Sequence, residues 1–207
     1  MVKPKQSYPV INDNTLNEFK EYIEAIQSKE KERIAEASNN LRDYILDKVD
    51  KAIGKFYKND IDLLKYGMNE MSISGRLAIY LQSEFEKLEG YYIDIEYYRL
   101  RVPKEKVRDI RSERIRCDIL LHSRGHFNAR VDNLLAIEIK MEISQDDGDS
   151  DLKRLAEFIL PEKSDTPSNA VHSTLVGLFI RMGEDGYSLG LCTSLGYKER
   201  KVEIDNL

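Results

Sequence analysis

Arg116-Cys117-Asp118-Ile119-Leu120-Leu121 and Leu134-Leu135-Ala136-Ile137-Glu138-Ile139-Lys140 are short apolar, β-branched runs on either side of a segment rich in Gly, Asn, Arg and His. The pattern predicts two strands of a hairpin with a long connection. Alternation in the second run sends Leu135, Ile137, Ile139 and Met141 to one face and Leu134, Ala136, Glu138 and Lys140 to the other, because side chains two apart on a strand point the same way. A carboxylate beside an ammonium among small or apolar neighbours is unusual in a buried strand, where an unpaired charge is costly. Asp118, on the neighbouring strand, is expected close enough to join them. The competing reading is an exposed edge strand carrying a solvated Glu–Lys pair.

Two carboxylates on adjacent strands can hold a hard divalent cation such as Mg²⁺, which takes oxygen ligands and keeps several waters. A lysine beside that cation can orient an attacking water and offset charge building on a phosphoryl group. This is chemistry suited to hydrolysing a phosphodiester. The residues also resemble the PD-(D/E)XK nuclease superfamily, Asp118 matching the motif's Asp and Glu138-Ile139-Lys140 its ExK. One departure is visible: Cys117 stands where the family usually has Pro. The resemblance implies a DNA endonuclease using Mg²⁺, with Mn²⁺ as a substitute. Asp118, Glu138 and the main-chain carbonyl of Ile139 would hold the metal, and Lys140 would position the water.

Upstream, Glu70 falls on one helical face with Ser74, Leu77, Leu81 and Phe85 or Leu88, an inward stripe headed by an acid. The superfamily's first helix often contributes a Glu next to the metal, and Glu70 matches that place; the alternative is a first-turn Glu stabilised by the helix dipole. Residues 92 to 102 alternate as a strand with one polar side. The stretch from Arg99 to Arg116 then carries eight basic residues (Arg99, Arg101, Lys104, Lys106, Arg108, Arg111, Arg114, Arg116) against three acids. Such grouping suits phosphate backbones, although charge runs also serve as solvated loops. His122 and His126 in the hairpin loop are expected to be exposed to solvent or to brush DNA. With Cys117 they lack the paired spacing and fourth ligand of a structural zinc site.

After Lys140, an acidic turn leads into a short helix from Asp151 to Leu160, with Asp149, Ser150 or Asp151 as its cap and Leu152, Leu155, Ala156 and Ile159 inward. Lys153 on it is a further candidate for contact with nucleic acid. Residues 173 to 181 read as a buried strand and 187 to 192 as its hairpin partner, while 197 to 207 give a weak strand or an untidy end. The order is α-β-β-β-α-β, that of the PD-(D/E)XK core. The expected fold is therefore α/β, restriction-endonuclease-like, with a central mixed sheet flanked by helices.

Residues 14 to 53 contain no Pro or Gly, and apolar residues recur at steps of three and four. They predict either a helical hairpin, broken at Ser38-Asn39-Asn40 with an Asn as cap, or one long helix. This divides the chain into an N-terminal helical arm or hairpin at 1–58 and a nuclease-like core at 59–207. The arm would pack on the core or support a homodimer.

The net charge of −5 over 207 residues argues against a generally basic nucleic-acid binder, so DNA contact would come from local patches. No apolar run approaches membrane-helix length, and the first residues lack the apolar core of a signal peptide. The cysteines, Cys117 and Cys192, fall in two strands and are expected as buried free thiols in a reducing cytoplasm. A second class of function fits the acidic balance: a non-catalytic nucleic-acid-binding or assembly protein on the same fold. Nothing in the residues separates DNA from RNA or branched DNA as substrate.

Overall fold

The amphipathic stripe that opens the chain forms two helices, α1 (Asn17–Ser28) and α2 (Lys31–Asp60), in a computed structural model that describes residues 8–12, 15–100, 114–127, 129–142, 149–159, 174–193 and 196–203. The helix break expected at Ser38-Asn39-Asn40 is instead at Lys29, which adopts a left-handed conformation (φ 63°) at the end of α1. Ser38 sits inside α2 because its hydroxyl donates to the carbonyl of Ile34 at 2.6 Å, while Asn39 and Asn40 face solvent. The buried stripe Ala37, Leu41, Ile45, Val49 runs uninterrupted past them. Packing overrides the weak local preference of those polar residues for a turn.

A one-turn helix, α3 (Asp62–Lys65), leads to α4 (Glu70–Glu84), whose N-cap Asn69 accepts a hydrogen bond from the Ser72 amide at 2.9 Å. Six strands follow: β1 (Tyr92–Leu100), β2 (Arg114–His122), β3 (Asn133–Met141), β4 (Thr174–Gly183), β5 (Gly186–Thr193) and β6 (Gly196–Glu203). The short helix α5 (Ala129–Asp132) lies in the β2–β3 connection, and α6 (Asp149–Ile159) lies between β3 and β4. All six strands form one sheet in the order β1-β2-β3-β4-β5-β6, antiparallel except for the parallel pair β3–β4. The parallel pair needs a crossover, which α6 supplies. The architecture is thus α/β with a mixed sheet flanked by helices. Of the two readings of the C-terminal segment, a weak strand or an untidy end, the strand is the one found: β6 lies at the sheet edge. Its charged residues are compatible with an edge.

The two faces of the sheet are buried differently. Ile119, Leu135, Ile137, Ile139, Leu178, Ile180 and Leu189 join the apolar stripes of α1, α2 and α4 in one large cluster. The N-terminal helices therefore share a core with the sheet. The opposite face is smaller, with Cys117, Leu120, Ala136, Phe179 and Cys192 against Leu155 and Ile159 of α6. Gly177 on β4 sets how closely α6 sits. A Cβ there would lie 2.3 Å from Ile159 Cδ1 and 3.1 Å from Leu155 Cγ. Both cysteines are free and buried, and burial pushes the Cys192 thiol up to about 11. Among the described residues no helix is long and apolar enough to cross a membrane.

Candidate active site

Strand β3 is central, third of six, and Glu138 on it is only 2% exposed. The solvated edge-strand reading of the Glu–Lys pair is therefore excluded. On its β4 side β3 is paired through to Met141↔Met182, but on its β2 side the described ladder reaches only to Ile119↔Ile137. At the next position Asp118 intervenes, its Oδ2 accepting the Ile139 amide at 2.7 Å. A carboxylate thus takes the place of a ladder carbonyl. The Ile139 carbonyl points to the same side as its amide, toward β2, by strand geometry. Asp118, only 8% exposed, shares the α6 face with Glu138.

Lys140 stands two residues beyond Glu138 on that face and is reached by both helical layers. Its Nζ lies 3.1 Å from Asp151 Oδ2 at the start of α6 and 3.6 Å from Glu70 Oε1 at the start of α4. Ser74, Leu77, Leu81, Phe85 and Leu88 are buried as their stripe predicted, and Glu70 at its head is partly exposed, reaching the site edge. The structure accordingly brings together Glu70, Asp118, Glu138 and Lys140. Two carboxylates, Glu70 and Asp151, contact the ammonium, and Arg181 occupies the Cα position paired with Lys140 on β4. Arg181 also approaches the Phe179 ring, 5.6 Å from its centroid.

Asp151 and Arg181 were not anticipated as site residues. Asp151 was readable: it precedes Leu155 and Ile159 by four and eight positions, so it shares their inward stripe. Its expected role as a cap was too modest, for it is 4% exposed and salt-bridged. Arg181 had no such signal, since its nearness to Lys140 follows from the parallel register of β3 and β4.

The basic stretch is divided. The backbones of Arg99, Arg114 and Arg116 belong to the extension of β1 and β2 beyond the point where β2 ceases to pair with β3. Arg101, Lys104, Lys106, Arg108 and Arg111 lie outside the described residues. Lys153 is exposed on α6. The expectation that both loop histidines are exposed is corrected for one. His126 faces solvent, but His122 is buried at the end of β2, its Nε2 2.8 Å from Asp94 Oδ2. Arg124 grips the same carboxylate through Nε at 3.0 Å and also stacks over the Tyr92 ring. Hydrogen bonds from Arg124, then from His122, outweigh desolvation and hold the Asp94 carboxyl below its ordinary value.

Asp118, Glu138 and the Ile139 carbonyl are hard oxygen donors gathered at one gap between β2 and β3. That donor set fits Mg²⁺, which keeps several waters and is usually held by only one or two carboxylates. Among the described residues no group of three or more His, Cys, Asp or Glu side chains forms a ready-made metal cage. No family model, curated protein or solved structure matches this chain.

Proposed function

We propose that the protein is a Mg²⁺- or Mn²⁺-dependent endonuclease that hydrolyses DNA phosphodiester bonds on a restriction-endonuclease-like core. The observation that carries this reading is the placement of Asp118, Glu138 and Lys140 on one sheet face where β2 stops pairing with β3. The order α4-β1-β2-β3-α6-β4 agrees with the α-β-β-β-α-β core and supports it further.

In this reading Asp118, Glu138 and the Ile139 carbonyl would hold the cation, and Glu70 would complete or buffer its shell. When bound, the metal supplies Lewis acidity and lowers the pKa of a coordinated water. Lys140 would position and polarise the attacking water and offset the charge that develops on the phosphoryl oxygens. Ala136, Phe179 and Leu155 form a buried apolar cluster on the same face, so charged interactions beside it would act in a medium of reduced dielectric. Arg99, Arg114 and Arg116, with the rest of their basic run and Lys153, would steady the backbone of the substrate without reading its sequence.

Incubation of the protein with supercoiled plasmid and millimolar Mg²⁺ or Mn²⁺ tests the proposal, with RNA and branched DNA as parallel substrates. Nicked or linear product that disappears with a chelator supports it. Salt-sensitive binding without cleavage on any substrate would replace it with the non-catalytic reading.

A further inference from the structure

We propose that Tyr197 is a stacking platform for an unpaired nucleobase, with Arg181 receiving the adjoining phosphate, so that the strand crossing β4 and β5 from the site is single-stranded. This use of Tyr197 rests on the nuclease reading for the place of the scissile phosphate, but the stacking contact is read without cleavage.

The ring is on the face of the sheet that carries Glu138. Tyr197 pairs with Cys192, which belongs to the small cluster of Ala136 and Phe179 on that face. From there the ring leans over Gly190, where a Cβ would lie 2.5 Å from Tyr197 Cζ, so it occupies room that only glycine leaves. Gly190 pairs with Phe179, and Phe179 with Glu138. The ring is therefore about two strand spacings, roughly 10 Å, from the Glu138 backbone.

Tyr197 is 44% exposed. Among the described residues no ring or cation is stacked on it, whereas Arg124 already covers the Tyr92 ring. Every nucleobase offers such a ring a flat π-face. A base inside a duplex is already stacked on its neighbours, so an exposed aromatic favours unpaired ones.

The cation lies between this ring and Lys140. Arg181 starts beside Lys140 on β4, and its guanidinium is 5.6 Å from the Phe179 ring centroid. Burial, then Glu199 and Cys192, raise the Tyr197 hydroxyl above its ordinary value, and Arg181 opposes them. The guanidinium is thus within electrostatic reach of the ring, and its planar fork suits a phosphate. Glu199 shares the face of Tyr197 by alternation and repels phosphate from the outer side. A strand laid from Lys140 toward the sheet edge accordingly meets ammonium, guanidinium and ring in turn.

The chain contains no tryptophan, so Tyr197→Trp places a single indole on the platform. Its fluorescence is followed as the full chain is titrated with a single-stranded oligothymidylate, with Ca²⁺ in place of Mg²⁺, and it should be quenched on binding. Tyr197→Ala should weaken oligothymidylate binding by about 5–150-fold and leave a duplex of the same length bound as in the parent. Tyr197→Phe should bind like the parent, because the ring and not the hydroxyl is used. Arg181→Gln should lower the salt slope of single-strand binding by about 0.7, the value of one phosphate contact.

An indole whose emission ignores a bound oligonucleotide would overturn the proposal, as would equal loss of single-strand and duplex binding in Tyr197→Ala. Plasmid cut by the parent, with none of the single-strand effects, would remove the platform and keep the nuclease. Quenching and the selective loss of affinity, without cleavage of any substrate, would keep the platform and remove the nuclease reading alone. A parent that binds neither form would overturn both.

Discussion

Replacing Lys140 with methionine keeps most of the side-chain volume and removes an ammonium that contacts Asp151 and Glu70. At 3.1 Å, the attraction between Nζ and Asp151 is on the order of 5 kcal/mol for an effective dielectric of about 20. The Glu70 contact adds little, because at 3.6 Å its partner is 38% exposed and screened by solvent. Desolvation of both ions consumes several kcal/mol, so the intact pair contributes little net stability. Breaking it is another matter. Asp151, nearly inaccessible, would lose this ammonium, and loss of one partner of a buried pair typically costs about 3–5 kcal/mol. For a chain of this size that corresponds to a fall in Tm of roughly 6–20 °C. Circular-dichroism melts of parent and Lys140→Met at neutral pH, without metal, measure it. A variant within 2 °C of the parent (roughly the effect of 1 kcal/mol or less) would refute the reasoning, since the ammonium would then not be compensating buried charge.

The proposed metal site predicts that Mg²⁺ or Mn²⁺ stabilises the parent, by about 2.7 kcal/mol at a hundred times Kd. Glu138→Ala should abolish that shift in Tm. Gly177→Ala should destabilise by about 1–3 kcal/mol, since its Cβ would meet Ile159 and Leu155, and urea unfolding checks this; an unchanged midpoint would mean that α6 sits further from the sheet. Asp94 should give stability a carboxylate-type pH dependence. Its folded pKa is depressed by Arg124 and His122, so its contribution is present above the unfolded value of about 3.9 and is lost as pH falls through the lower folded value. The gap in stability between parent and Asp94→Asn should therefore be full above the unfolded carboxylate value and close as pH falls through the lower folded one.

What could be read in advance, and what could not, separates along physical lines. Glu138 and Lys140 were legible because period-two alternation placed them on one face, and burial then made their charge conspicuous. Glu70 was legible because a helical stripe pointed it inward. Asp151 obeyed the same stripe rule, yet its proximity to an acidic turn and its aptness as a cap gave it a local explanation that hid the long-range one. Arg181 could not be read, since a parallel pairing across a crossover leaves no mark in local sequence. The break at Lys29 was also hidden, because a lysine seldom takes a left-handed conformation, whereas the polar triplet Ser38-Asn39-Asn40 looked like a break and was absorbed into a long helix. His122 looked like a loop residue until Asp94, on another strand, supplied the partner that makes its burial tolerable.

The central claim is tested most directly by plasmid cleavage with parent, Glu138→Ala and Lys140→Ala purified side by side and assayed with Mg²⁺ or Mn²⁺. The account predicts metal-dependent nicking by the parent and its loss in both variants. Equal cleavage by all three would contradict the assignment of Glu138 and Lys140, and no cleavage by the parent with either metal would contradict the nuclease itself.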